Sequence, residues 1–185
     1  MALELRKLSY PLGAEVCNVD VGAPMSEAQF GEIYRAFLDH GILLFRDQNI
    51  TSAQHIEFSR RFGELDRHEA LPRDRHPEHP ELLRVTNRRN PDGSPADSRY
   101  TGPEWHSDMS FTTVPSLGSL LRSREVPEVG GDTLFANMYL AYETLSEGMK
   151  RLIDGLHGIQ LAGTRKINDP KSGLARREEQ KKINP

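Results

Sequence analysis

The sequence has a single cysteine, Cys17, among its 185 residues. No disulfide can form within the chain, which fits a reducing compartment. The opening stretch, MALELRKLSYPLGAEV, lacks an apolar core of the kind a secretory leader carries. No run approaches the roughly 20 apolar residues that a membrane span requires. Neither sign of charge is in excess: 24 Lys and Arg stand against 27 Asp and Glu, for a formal net charge of −3. The basic residues between Arg165 and Lys182 are interleaved with acids, so no nucleic-acid footprint is expected. Tryptophan occurs once, at Trp105. These absences predict a cytoplasmic protein with no membrane and no nucleic-acid partner, in a chain long enough to bury a real core.

Apolar spacing and turn residues divide the chain. Short alternating stretches around Pro11 and Gly13 predict two strands within residues 3–21. Ser26 with Gln29 forms a helix-starting pattern, and Phe30, Ile33, Tyr34, Phe37 and Leu38 follow at helical spacing up to Gly41. The apolar run Ile42 to Phe45 reads as a buried strand. Thr51 with Gln54 opens a second helix that ends by Gly63. Residues 64–80 are rich in charge, His and Pro and read as a loop. Further strands are expected over 82–86, 105–111, 117–126 and 133–138, with a Gly130-Gly131 turn before the last. The long polar stretch 88–103 has the length of a functional loop. From Tyr139 to Leu156 the spacing is helical again, with Ser146 as an internal cap. Beyond Gly163 apolar residues are nearly absent, which predicts disorder or a mobile lid over 164–185. The sum is a mostly β core with flanking α-helices. Pattern alone does not separate a jelly roll from another mixed fold.

The central chemical signal is His106-Ser107-Asp108. In an extended chain residues i and i+2 point the same way, so an imidazole and a carboxylate converge. They are two-thirds of the two-histidine, one-carboxylate set that holds non-haem iron and leaves open coordination positions. Alone the triplet is weak, since composition predicts about 0.4 of them by chance. A strand with a surface His and Asp would look the same.

The surrounding residues are more specific. Trp105 to Phe111 reads WHSDMSF and is followed by Pro115, Leu120-Leu121, Pro127 and then GGDTLFAN over 130–137. Upstream stand GILLFR at 41–46 and FSRRFGEL at 58–65. This ordered series resembles the taurine/2,4-dichlorophenoxyacetate dioxygenase family over nearly the whole chain up to about residue 160. The resemblance implies a double-stranded β-helix, or jelly roll, with residues 1–163 as the N-terminal part of a single domain. It implies Fe(II), 2-oxoglutarate and O2, with His106 and Asp108 as two metal ligands. Thr133 would donate its hydroxyl to the far carboxylate of 2-oxoglutarate; otherwise it is a β-branched residue suited to a strand. His68 falls where relatives place a substrate-contacting histidine, or is a solvated loop residue. Asn87 is a further substrate-binding candidate, or a turn residue.

The implied reaction hydroxylates a small organic anion (a sulfonate, sulfate ester or aryloxyalkanoate) with succinate and CO2 as co-products. Relatives often form dimers or tetramers, so a homo-oligomer is compatible with it. Taurine-specific members carry Asn four residues before the first ligand, where this chain has Gly102. The family's third ligand, a distal His, and the Arg that pairs with 2-oxoglutarate would lie well beyond Pro185. The chain is therefore expected to hold only part of the active site and to be inactive alone. His157 comes too early for the third ligand and reads as a polar residue at a helix end. His76 and His79, separated by Pro77 and followed by Pro80, read as a solvated loop. One alternative is a non-catalytic or truncated jelly roll that binds a small anion. Another is a zinc or manganese hydrolase or isomerase, against which the Gly-Gly-Asp-Thr segment argues.

Overall fold

A computed structural model describes residues 3–68, 75–89, 91–94 and 105–160. The chain divides into two compact units. One comprises Met1–Phe62 with Arg122–Leu156, and the other Gly63–Leu121 with His157–Pro185.

In the first unit, strand β1 (Glu4–Lys7) pairs antiparallel with β2 (Ala14–Cys17), Leu5 facing Val16. β2 pairs parallel with the two-residue β3 (Leu43–Leu44). A parallel neighbour requires a crossover, which helix α1 (Glu27–His40) supplies. The start of α1 is fixed by Ser26, whose side chain accepts from the Gln29 N–H. Its end is fixed by Gly41, left-handed at φ 68°, whose N–H donates to the Phe37 carbonyl at 2.8 Å. Helix α2 (Ser52–Arg60) begins with a full capping box. The Gln54 N–H donates to Thr51 Oγ1, and Gln54 Oε1 accepts from the Thr51 N–H at 2.8 Å. The Gln54 amide also donates to the Gly22 carbonyl at 2.9 Å, pinning the helix start to the loop after β2.

The core of this unit lies between the sheet and the two helices. Ile33 is completely buried, with Ala14, Val16, Phe30, Ala36, Ile56 and Phe58 around it. Phe62 is the hub of an aromatic cluster. Its ring lies 5.0 Å from Phe30, 5.6 Å from Phe58 and 6.0 Å from Phe37, all edge-on. Edge-to-face contact sets the positive ring edge against a negative face, adding about 0.5–1.5 kcal/mol per pair beyond area burial. The Arg61 guanidinium covers Phe30 at 4.3 Å and donates to Met25 O and to Glu27.

One carboxylate is buried in the sheet. Glu15 on β2 meets Arg6 at 2.9 Å and Arg46 at 3.3 Å. Burial pushes its pKa up, but the hydrogen bonds and charges of the two arginines prevail and hold it below the ordinary glutamate value.

The remaining segments of the first unit end in α3 (Met138–Glu143) and α4 (Glu147–Ile153), capped by Asn137 and Ser146. Neither helix fully buries a side chain. Asn137 does two things: Oδ1 accepts from the Leu140 N–H, and Nδ2 donates to the Pro11 carbonyl at 2.6 Å.

The early strands, the helices and their caps stand where the sequence places them. The later strands do not. Residues 105–107 and 117–126 form no ladder, and 108–111 is a turn. Over 133–137 there is no strand, and Met138 begins a helix. The expected strand 82–86 is reduced to one bridge, Arg75 with Leu83. A strand exists only when a second strand satisfies its backbone groups. Among the described residues nothing beyond that bridge pairs with these segments, and helical residues outnumber strand residues there. The expected lid over 164–185 lies outside the described residues, as does Gly102. Among the described residues no helix is long and apolar enough to cross a membrane.

Candidate metal and co-substrate site

The second unit carries the histidine–carboxylate pair. His106 Nε2 lies 3.3 Å from Asp108 Oδ1, with the two side chains 49% and 57% exposed. The two side chains approach each other as expected, but not through a strand: no regular structure is formed over 105–107, and Asp108–Phe111 is a turn. Met109 takes a left-handed φ of 54°, uncommon for a side chain of its size. The turn is closed by Thr112, whose N–H and hydroxyl both donate to the Met109 carbonyl, at 3.1 and 2.8 Å.

The second carboxylate oxygen is also engaged. Ser119 Oγ donates to Asp108 Oδ2 at 2.7 Å, a contact no sequence pattern indicated. As an ion pair at a half-exposed site, His106–Asp108 is worth little: such pairs contribute about 0–1 kcal/mol. Stability does not account for the arrangement.

Its donor atoms do suit a metal. Two atoms bound to one ion at roughly 2.1 Å lie about 3.0 Å apart at a right angle and about 3.4 Å apart at the tetrahedral angle. The 3.3 Å separation falls in that interval. An imidazole nitrogen and a carboxylate oxygen are also the donor types of the non-haem iron set. The pair fits two ligand positions. Among the described residues no group of three or more His, Cys, Asp or Glu could hold a metal.

His68 is in the same unit, half-buried, with a left-handed φ of 50°. Its N–H donates to Asp66 Oδ1 at 2.8 Å and its Nδ1 lies 3.9 Å from Asp66 Oδ2. Asn87 is exposed. Thr133 is exposed and belongs to the first unit, just after Gly130 and Gly131, which both have positive φ. The His76 and His79 rings lie 5.0 Å apart and half-buried, where a solvated loop was expected. The Glu78 N–H donates to His76 Nδ1 at 3.2 Å, which occupies one of the ring nitrogens. His157 is exposed beyond α4.

The sequence from residue 4 to residue 182 matches the family described as "Taurine catabolism dioxygenase TauD, TfdA family". The chain belongs to this family. Among its relatives is the (S)-phenoxypropionate/alpha-ketoglutarate-dioxygenase of Sphingobium herbicidovorans, 33% identical over 84% of this chain and 52% of the relative. An alkylsulfatase of Acinetobacter baylyi is 30% identical over 85% of this chain and 46% of its own length. Of solved structures, a taurine dioxygenase from Burkholderia xenovorans superposes with a TM-score of 0.68 at 31% identity, covering 84% of this chain and 52% of that one. AAD-2, solved with Mn(II) and N-oxalylglycine, gives 0.67 at 29% identity over 83% of this chain and 53% of its own. The chain spans about half the length of these TauD/TfdA relatives.

Proposed function

We propose that the protein is an Fe(II)- and 2-oxoglutarate-dependent dioxygenase that hydroxylates a small organic anion of sulfonate, sulfate-ester or aryloxyalkanoate type. The observation that carries this reading is the approach of His106 Nε2 to Asp108 Oδ1 within the TauD/TfdA motif series. Residues 1–163 are the N-terminal part of a single jelly-roll domain in this reading, supported by the family match and by the superposition on TauD/TfdA structures.

His106 and Asp108 are the metal ligands. His106 binds as neutral imidazole with its proton on Nδ1, because Nε2 must present a lone pair. Asp108 binds as the carboxylate through Oδ1. Bound iron supplies the oxidative chemistry that consumes O2 and 2-oxoglutarate and yields succinate and CO2. Thr133 offers its exposed hydroxyl to the far carboxylate of 2-oxoglutarate. His68, whose backbone N–H is bound by Asp66, and Asn87 contact the substrate anion.

The decisive experiment combines Fe(II) titration with a succinate assay on the full-length protein and on its His106→Ala and Asp108→Ala variants. Both variants should lose metal binding and turnover together. Undiminished binding in either one refutes the ligand assignment. Anion binding without any succinate release would overturn this reading in favour of a non-catalytic jelly roll that binds a small anion.

A further inference from the structure

A carboxylate beside a metal has two equivalent oxygens and a broad side-chain torsion about its last bond. Nothing in Asp108 itself decides which oxygen serves as ligand, or whether both do. The surroundings break that symmetry. Asp108 Oδ1 faces His106 Nε2 at 3.3 Å, while Oδ2 accepts from Ser119 Oγ at 2.7 Å. The Ser119 bond is at the ordinary length for a hydroxyl donor, and a hydroxyl donating to a carboxylate is the stronger, charge-assisted kind. Ser119 reaches Asp108 from eleven residues further along, across the Met109–Thr112 turn and Pro115. It is not a neighbour that contacts Asp108 by default.

We infer that Ser119 is the positioning residue of the metal site: by holding Oδ2, it presents Oδ1 alone toward the ion and fixes Asp108 as a one-oxygen ligand. This rests on the reading of His106 and Asp108 as metal ligands. Two consequences follow from the hydrogen bond. It freezes the torsion that would let Asp108 turn toward solvent, to which the side chain is 57% exposed. It also occupies the oxygen that would make the carboxylate bidentate, and so keeps coordination positions open for other ligands. Hydrogen-bond partners of metal-ligating carboxylates typically alter metal affinity by 10–100-fold when removed.

The test is titration of the protein with Co(II) or Fe(II) alone, without co-substrate, followed by competition with a chromogenic chelator and by the visible spectrum of the Co(II) form. Ser119→Ala should weaken metal binding by roughly 10- to 100-fold and change the Co(II) spectrum. Ser119→Thr, which keeps a hydroxyl, should bind within about threefold of the parent and restore the spectrum, while Ser119→Val, of the same shape, should resemble Ser119→Ala. Melting temperatures of all three are measured beside the titrations. If Ser119→Ala melts early, the Thr/Val pair still isolates the hydroxyl. His106→Ala and Asp108→Ala serve as controls for the underlying site. Loss of binding in both controls with parental affinity in Ser119→Ala overturns the positioning role and leaves the site standing. Equal weakening by Thr and Val overturns it too, because shape rather than the hydroxyl would then matter. Parental binding in the two controls overturns the site and the positioning role together.

Discussion

Gln54 is the residue whose replacement most cleanly separates two contributions to the first unit. Its side-chain oxygen completes the capping box of α2, and its amide nitrogen donates to the Gly22 carbonyl. Gln54→Ala removes both. Each neutral hydrogen bond contributes about 1 kcal/mol net, so the loss is about 2 kcal/mol. Gln54→Glu keeps the oxygen for the Thr51 N–H, and a carboxylate in the first turn gains about 0.3–1 kcal/mol from the helix dipole. It has no hydrogen for Gly22 and sets an anionic oxygen where a donor stood at 2.9 Å from a carbonyl. The net loss should therefore be about 0.5–1 kcal/mol. With a urea slope of about 2 kcal/mol/M, the midpoint falls by roughly 1 M for Ala and by about a quarter to a half of that for Glu. Acid sharpens the comparison. Below about pH 4.3 the introduced carboxyl is protonated and regains a donor, so the deficit of the Glu variant against the parent at the same pH should shrink. A Gln54→Glu protein more stable than the parent at neutral pH by the helix-dipole gain would show that the Gly22 bond carries nothing. Equal losses for Ala and Glu would show the same of the capping contact.

Other outcomes are expected. Glu15 has a folded pKa below its unfolded value, so the stability it contributes is present above the unfolded value, about 4.3, and is lost as pH falls through the lower folded value. Glu15→Gln should flatten the dependence of the urea midpoint on pH below about 4.3, and an unchanged acid slope would contradict the Arg6–Glu15–Arg46 account. Gly41→Ala places a Cβ in left-handed backbone and 2.9 Å from Leu12 Cδ1, so a loss of about 1–2 kcal/mol, or roughly 2–8 °C in Tm, should appear by calorimetry. Thr133→Val should raise the 2-oxoglutarate requirement roughly tenfold to a hundredfold with little effect on the organic substrate, as read from succinate release against each concentration. An unaltered 2-oxoglutarate requirement would remove Thr133 from the co-substrate site.

What was legible in the sequence divides by range. Ser26 with Gln29, Thr51 with Gln54, Gly41 and Ser146 act on backbone groups within a few residues, and each caps the helix its position announced. The positive φ of Gly130 and Gly131 is local in the same sense. His106 and Asp108 are two residues apart and meet without a ladder, at the start of the Asp108–Phe111 turn. The strands over 105–111, 117–126 and 133–138 failed because alternation describes a face, while pairing needs a partner from elsewhere in the chain. Ser119 was hidden for a related reason. A serine between Gly118 and Leu120 looks like any polar residue until the turn at Met109 brings it to Asp108.

The bond from Asn137 to Pro11 joins positions 126 residues apart. The side chains proposed for metal and substrate, His68, Asn87, His106 and Asp108, all lie inside that span, between Phe62 and Arg122. Closing a loop costs entropy that grows only with the logarithm of its length. Ten residues inserted between Phe62 and Arg122 would therefore oppose closure by under about 0.1 kcal/mol. Chain-length variation between Phe62 and Arg122 is thus thermodynamically decoupled from the bond between Asn137 and Pro11. A lineage can lengthen, shorten or rewrite that stretch while the same helix cap continues to close on the same carbonyl.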